Sequence, residues 1–191
     1  MGRLLWLVTV GLVAVATHIS YILFAPGYLF ERQIYLSTDG KPNNTFFVLA
    51  PEKQAALVPT STAQDVVGIC KYDLQGGHLV LSANLPKSYW TMSIYTQSGK
   101  QVYALDDVQA GSSAISIELS QSKSLIEQIF SAVSSSADGE DQGQIEDLGW
   151  RVETTERRGL AIVWIPLSDQ LMRPRVESII KESRCAAKIK S

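Results

Sequence analysis

The side chains that could do catalytic chemistry are few and widely spaced in this sequence. Its two histidines are His18 and His78, and no G-x-S-x-G motif places a serine nucleophile beside either. Asp106 and Asp107, with Asp73, could supply two carboxylates for acid–base work on a sugar, although such residues more often cap turns. The sequence lacks zinc-binding spacing and the glycine-rich loops that hold nucleotides or phosphates. We therefore predict no catalytic residue, no metal site, no cofactor and no enzymatic activity.

Two charged segments have alternative interpretations. The acidic residues of segment 134–147 lack the twelve-residue calcium-loop pattern, which favours a solvated loop. Arg157 and Arg158 could bind an anionic head group or an acidic partner, or they could form the exposed tip of a hairpin. The formal net charge of the chain is only -2, with no basic excess, so nucleic acid is not an expected partner.

The amino-terminal region has the composition of a membrane span. No charged residue lies between Arg3 and Glu31, and the stretch from Leu4 to Ala25 is almost wholly apolar. At about 1.5 Å per residue these 22 residues reach roughly 33 Å, enough to cross a hydrocarbon core of about 30 Å. A cleaved signal peptide is the alternative, because residues 14–16 (AVA) resemble a cleavage site. The continuation of the apolar run past that site favours an uncleaved anchor.

The charges that flank the span indicate its orientation. Arg3 and the terminal amine precede it, whereas Glu31 and Arg32 cancel each other just after it. Because positive charge favours the cytoplasmic side, we predict a cytoplasmic amino terminus and a domain in the periplasm or outside the cell. The predicted division is an anchor at residues 1–27 and one domain at residues 28–191.

A small polar cluster lies inside the span. His18 is accompanied by Thr17, Ser20 and Tyr21, and polar groups at membrane depth often mark contacts between helices. The alternative is a neutral imidazole that bonds a backbone carbonyl of its own helix. We predict that these four residues contact a membrane partner.

The chain has two cysteines, Cys70 and Cys185. In an oxidising compartment one disulfide between them is the simplest interpretation, and two free buried thiols are the alternative. A closed loop of about 115 residues would contribute on the order of 4–5 kcal/mol through chain entropy. The bond would join the carboxyl-terminal helix to a sheet.

Alternation of apolar and polar residues with a period of two predicts a mainly β domain. Residues 51–65 are predicted to be a surface loop, and helical spacing predicts helices at 125–133 and at about 169–184, the second ending at Cys185. Two further strands, 150–153 and 159–166, are predicted to pair with each other through a charged turn. The second of them is predicted to be central in its sheet, because both of its faces are apolar. The other predicted strands are 45–50, 66–74, 78–83, 90–96, 102–105 and 113–119.

The predicted fold class follows from these elements. It is a β-rich α+β fold, in which one amino-terminal transmembrane helix precedes a single antiparallel β-sandwich-like domain with two flanking helices. About 160 residues outside the span can bury a core of their own, so one domain is expected.

Several sequence blocks together resemble a known family. They are residues 67–74 (VGICKYDL), 89–95 (YWTMSIY), 103–107 (YALDD) and 158–160 (RGL). With the leading span, they make the chain similar to the short bacterial membrane proteins of the domain-of-unknown-function family 1254. The resemblance implies a bacterial inner-membrane protein with a mainly β periplasmic domain, often found beside a sister protein of family 1214. It matches Cys70 and Cys185 to the cysteine positions of the family, which supports a disulfide, and it implies no activity.

We therefore predict a non-catalytic binding or scaffolding subunit of a cell-envelope assembly. Its partners would be membrane lipids and another membrane or envelope protein, such as the family 1214 sister protein. One alternative is a carrier or sensor with an apolar cavity for a lipid, and another is a hydrolase with a cleft that joins His78 or Asp73 to Asp106 or Asp107. The predicted binding surface, whose aromatic members could equally belong to the core, consists of Tyr72, Asp73, Tyr89, Trp90 and Tyr95.

Overall fold

A single long helix, α1 (Gly2–Ser37), begins the chain. The computed structural model describes residues 2–38, 40–122 and 149–188. α1 is long and apolar enough to cross a membrane, and none of its most apolar 18-residue window is buried by the rest of the chain. It passes through Pro26 and continues beyond residue 27, the predicted domain boundary. The predicted anchor and the first part of the predicted domain are therefore one continuous helix.

The described β-strands form two sheets. Sheet A has the order β1-β2-β8-β4-β5 and is antiparallel throughout. Sheet B has the order β7-β6-β3-β9 and contains one parallel pair, β6 with β7. This architecture confirms the predicted β-rich α+β class with an amino-terminal helix. The strands are β1 (Phe46–Val48), β2 (Val66–Asp73), β3 (Leu79–Asn84), β4 (Thr91–Thr96), β5 (Gln101–Asp106), β6 (Ala114–Gln121), β7 (Trp150–Thr154), β8 (Arg158–Ile165) and β9 (Arg184–Ala187).

Short helices connect these strands. They are α2 (Pro51–Leu57), α3 (Asp107–Ala110) and α4 (Arg173–Glu182), with 3-10 turns at Leu74–Gly76 and Gln170–Met172. Aspartates cap three of them: Asp73 and Asp169 accept backbone N–H bonds at the two 3-10 turns, and Asp106 accepts one at α3. These bonds satisfy donors that a helix start leaves unpaired.

The main core lies between the two sheets and α4. Alternate residues of each strand enter it, as the two-residue period of a strand requires. α4 approaches β2 so closely that a Cβ on Gly68 would collide with the side chain of Ile180, so this position needs glycine. The largest fully buried side chains of this core are Tyr72, Leu79, Leu81, Trp90, Met92, Ile94, Ile117, Leu119 and Ile165.

A second, smaller core covers the opposite face of sheet A. Ile34 of α1 is buried there, and Phe30 packs against the same cluster. The other buried members are Leu49, Val67, Ile69, Leu160 and Ile162. Because β2 and β8 are covered on both faces, both of their faces are apolar, and β8 is central as predicted.

Two predicted features of the carboxyl-terminal half are wrong. β7 and β8 do not pair with each other, because β7 joins sheet B beside β6 whereas β8 joins sheet A between β2 and β4. The short turn between them carries the chain from one sheet to the other. Cys185 does not end a helix, since α4 stops at Glu182 and Cys185 lies in β9.

The region predicted to be a surface loop at 51–65 begins with α2, which packs against α1. Pro51 at the first turn and Glu52 behind it are residues that favour a helix start. The predicted helix at 125–133 and the acidic segment 134–147 lie outside the described residues.

Cys70 and Cys185 lie at disulfide-bonding distance, as predicted, but the bond joins the two sheets instead of a helix and a sheet. Cys70 is in β2 of sheet A and Cys185 is in β9 of sheet B, and their Cα atoms are 6.5 Å apart. Both residues are buried, at 0% and 4% exposure, so a reductant cannot reach the sulfur atoms without local opening.

We expect the double variant C70A/C185A to lose up to about 4–5 kcal/mol of unfolding free energy, because the bond closes a long loop. Urea unfolding of the full chain in mild detergent, followed by tryptophan fluorescence, measures the difference. Native protein treated with reductant but no urea serves as the control and should keep the folded signal. An unchanged urea midpoint in the double variant would count against this role.

Candidate functional site

The acid–base residues considered from the sequence are not brought together. Asp73 ends β2, and Asp106 ends β5. Two strands, β4 and β8, lie between β5 and β2 in the sheet. Following the paired residues across them from Asp106 leads to Val67, near the start of β2. Val67 and Asp73 are six residue steps apart along β2, which is about 20 Å. The two carboxylates therefore stand at opposite ends of sheet A.

His78 belongs to a separate cluster on sheet B. Its Nδ1 lies 2.8 Å from one carboxylate oxygen of Glu118, and Lys188 Nζ donates to the other oxygen at 3.0 Å. Burial alone would raise the pKa of Glu118, but the bonds from Lys188 and His78 hold this pKa below its ordinary value. The cluster is a surface ion network, and the cleft that the hydrolase alternative requires is not formed by these residues.

The predicted aromatic binding surface is wrong for two of its members. Tyr72 and Trp90 are 0% and 1% exposed and belong to the main core. The Tyr72 hydroxyl donates a hydrogen bond to the Tyr95 carbonyl at 3.0 Å. Burial raises the pKa of Tyr72 to about 12, so the hydroxyl remains a donor at physiological pH. Tyr72 points inward by the alternation of β2, and Trp90, directly before β4, lies on the same side as the inward residues Met92 and Ile94.

The other two aromatic residues lie on the opposite face of sheet A. Tyr95 is half-buried beneath α1, with its ring 5.9 Å from that of Phe30. Tyr89 is 48% exposed and meets the ring of Trp164 edge-on at 6.1 Å. Among the four predicted aromatics, only Tyr89 offers a ring to a partner.

Asp73 is the centre of a charge cluster in which the carboxylate is largely buried and both guanidinium groups are about half exposed. One carboxylate oxygen accepts from Arg158 Nε at 2.8 Å, and the other lies 3.2 Å from Arg157 Nε. The backbone N–H of Gln75 also donates to it at 3.0 Å. Burial would raise the pKa of this carboxyl, but the Arg158 and Gln75 bonds and the nearby Arg157 charge hold the pKa below its usual range. Two guanidinium groups share one carboxylate, which leaves a net positive charge.

Beside this cluster, α1 and sheet A enclose a cleft of about 280 Å³. α1 crosses sheet A from the β4–β5 turn, where Gly27 approaches Ser98, toward β2. We call the space between them the helix–sheet cleft. Its polar lining includes Glu31, Tyr35, Thr38, Lys71, Gln97 and Arg158.

Glycine is required at the floor of the helix–sheet cleft. A Cβ on Gly159 would collide with the Tyr95 carbonyl and the Tyr72 hydroxyl. Because Tyr72 belongs to the main core, this clash lies on the face of sheet A that points away from α1.

The charges of the cleft are unequally neutralised. The carboxylate of Glu31 accepts a hydrogen bond from the Gln97 side chain, and Arg158 is bound to Asp73. Lys71 Nζ contacts only the Lys41 carbonyl, at 3.4 Å, and no carboxylate of the described residues lies within ion-pair distance of it. Among the described residues, the charge of this cleft cation therefore has no neutralising carboxylate.

Sequence reasoning missed the lining contributed by Lys71, Gln97 and Glu31. One signal was available, because Lys71 is the single cation in the otherwise apolar strand VVGICKYD. A lysine in a strand that is apolar on both faces marks the point where the covering layer is incomplete. Within the described residues, no group of three or more His, Cys, Asp or Glu side chains could hold a metal ion.

The polar cluster of the span lies on exposed helix surface. Thr17 Oγ1 donates to the Val13 carbonyl at 2.8 Å, so its hydroxyl is satisfied within α1. His18, Ser20 and Tyr21 are exposed along α1 and make no contact with the β domain in the part of the chain that the structure describes.

Comparison with known proteins identifies the fold and not a family. No family model matches the chain, and no curated protein matches it. The crystal structure of a Vibrio parahaemolyticus protein is similar to it with a TM-score of 0.55 and 11% sequence identity, over 85% of this chain and 36% of that one. An uncharacterized protein from Burkholderia cenocepacia is similar at a TM-score of 0.41 and 12% identity, over 75% and 36%. The chain thus spans little more than a third of the length of either structure.

The Asp73 cluster makes a pH-dependent contribution to stability. Because the folded pKa of Asp73 is lowered, the contribution is complete above the unfolded carboxyl value of about 3.9 and is lost as the pH falls through the lower folded pKa. We expect Asp73→Asn to lower stability at pH 7 and to flatten its decline below pH 4. Urea midpoints measured from pH 7 to pH 2.5 report both effects.

Glu153→Gln is the matched control, because Glu153 is exposed on β7 and outside the cluster. Its urea midpoints should follow those of the native chain at every pH. If the urea midpoint of D73N declined with falling pH as steeply as that of the native chain, the result would contradict the pH-dependent role of Asp73.

Proposed function

We propose that this chain is a single-pass membrane subunit without catalytic activity, whose anchor helix packs against a helix of another envelope protein. The observation that supports this function is an exposed face of α1 that continues beyond the span, on the side opposite sheet A. The proposal places the chain in family 1254, with its amino terminus in the cytoplasm and its β domain in the periplasm. The sequence blocks quoted above and the single charge of Arg3 support that assignment.

The exposed face of α1 consists of the positions that the β domain does not cover. Gly27, Phe30 and Ile34 approach sheet A at intervals of three and four residues. The opposite positions carry large apolar side chains that are 51–67% exposed. They are Tyr28, Leu29, Tyr35 and Leu36, and Arg32 lies among them.

These positions lie outside the hydrocarbon of a bilayer spanned from Leu4 to Ala25. Glu31 and Arg32 would sit about 9–10 Å beyond Ala25 along the helix, which is past the edge of the hydrocarbon. Tyr35 and Leu36 lie one turn further, where their exposed apolar surface would face water in a monomer. An apolar helix face in water is a characteristic of a protein contact.

The same face extends into the span. Counting back from Leu29 in steps of three and four residues leads through Ala25 to Tyr21 and His18. A helix that packs along Leu36, Arg32 and Leu29 would therefore also meet His18, whose ring needs a hydrogen-bond partner in lipid. Of the four predicted contact residues, His18 and Tyr21 lie on this face. Ser20 lies on the domain side, and the hydroxyl of Thr17 is satisfied within α1.

The lipid-carrier alternative receives less support, since the main core is filled by large side chains in the described residues.

Photo-cross-linking in native membranes tests the face. A benzophenone side chain at Leu29 should cross-link one membrane protein, because the residue lies at the centre of the exposed face. The same probe at Leu23, which is equally apolar but lies on the domain side of the span, should label lipid only. Equal protein cross-linking from both positions would contradict an oriented face.

His18→Leu should weaken co-purification of that protein in mild detergent about threefold, since a membrane hydrogen bond contributes about 0.6 kcal/mol on average. The exchange Leu23→Ile is the control and should change nothing. Recovery of only the monomer from the native chain would overturn the subunit proposal itself.

A further inference from the structure

We infer that the helix–sheet cleft binds a phosphate-bearing anion. Three features of the described residues carry the inference: the shape of the cleft, the excess of cations in its lining and the donors that remain available there. This site shares Tyr35 with the exposed face of α1, but its other polar lining residues lie between α1 and sheet A, and the inference does not require the proposed partner.

The cleft has room for a phosphate group. Its volume of about 280 Å³ lies just below the range of about 300–1,000 Å³ that drug-sized ligands occupy. A phosphate ester or the head group of a lipid fits such a space.

The lining carries more positive than negative charge. Lys71 and Arg158 supply two cations, and Glu31 is the one carboxylate among the described lining residues. Asp73 neutralises part of the Arg158 charge but already shares its two oxygens with Arg157. An anion beside Lys71 would therefore gain attraction that no described carboxylate supplies.

The available donors match a tetrahedral anion. Arg158 uses Nε to bind Asp73, and its terminal nitrogens have no hydrogen-bond partner in the described residues. Lys71 has only the weak contact with the Lys41 carbonyl. A guanidinium fork beside an ammonium group is a frequent arrangement for phosphate oxygens. Tyr35, 67% exposed, offers a ring at the rim for the organic part of the ligand.

Two sources of the phosphate are consistent with this position. The cleft begins at Glu31, about 9 Å along α1 from Ala25, and reaches Thr38, about 20 Å from it. If α1 spans a bilayer as proposed above, the near end of the cleft lies only a few Å beyond the phosphate level, so a phospholipid head group could reach it, and so could a soluble phosphate ester. Lys71 and Arg158 would bind the phosphate group in the same way from either source.

The test uses the full chain in mild detergent. Glycerol 3-phosphate is titrated by calorimetry as the soluble probe, and phosphatidylglycerol is counted by native mass spectrometry as the lipid probe. We expect Lys71→Gln to weaken binding of at least one probe about tenfold, because a charge-assisted bond is lost. Lys181→Gln, an exposed cation on α4, should leave binding unchanged.

A second variant changes binding in the opposite direction. Glu31→Gln removes the negative charge of the lining and should tighten binding of the same probe severalfold. This result also guards against misfolding, since a damaged cleft would weaken binding in both variants. Binding of glycerol 3-phosphate alone assigns a soluble ligand, and binding of phosphatidylglycerol alone assigns a lipid.

The inference is overturned if neither probe binds, or if K71Q and K181Q bind equally well. It is also overturned if K71Q and E31Q shift affinity in the same direction. Retention of the chain in carbonate-washed membranes is measured in parallel for every variant. Loss of that retention would refute the proposed span and leave the result for the soluble probe intact.

Discussion

Burial of sheet A on both faces is the constraint on which the rest of the structure depends. β2 and β8 pack against sheet B on one face and against α1, α2 and the β1 region on the other. A sheet covered on one face only would need polar residues at alternate positions, but these strands are apolar at nearly every position. α1 must therefore remain docked, because its residues Phe30 and Ile34 form part of the second core that covers this face.

The same constraint creates the cleft. α1 crosses the strands instead of following them, so it covers only part of the outer face of sheet A. Where the cover ends, β2 changes from apolar residues to Lys71, and β8 begins with Arg158. The charged residues thus lie at the border between the packed and the open part of one surface. The Asp73 cluster stabilises this border, since it ties the ends of β2 and β8 together.

The sequence was sufficient to predict the strands of the first two thirds of the domain, because alternation and turn residues are local signals. It was also sufficient to predict that β8 is central, since both faces of that strand are apolar. The separation of β7 from β8 could not be predicted, because a short charged turn suits a hairpin as well as a passage between sheets. Likewise, the period of two shows that Tyr72 and Trp90 share faces with apolar neighbours but does not show which face is covered. The lining of the helix–sheet cleft could not be predicted from the sequence. Glu31, Lys71 and Gln97 are far apart in the chain and meet only where α1 crosses the strands.

Docking of α1 also fixes the rotation of the helix about its own axis. Phe30 and Ile34 are held against sheet A, so the face that carries Leu29, Arg32 and Leu36 must point away from it. In a continuous helix this rotation is transmitted to the preceding turns, because each residue advances by about 100°. His18 and Tyr21 then lie on the side away from the domain. A helix that packed on that side would not meet the β-sheets. The packing of Phe30 and Ile34 against sheet A would therefore determine which side of α1 is accessible to another helix.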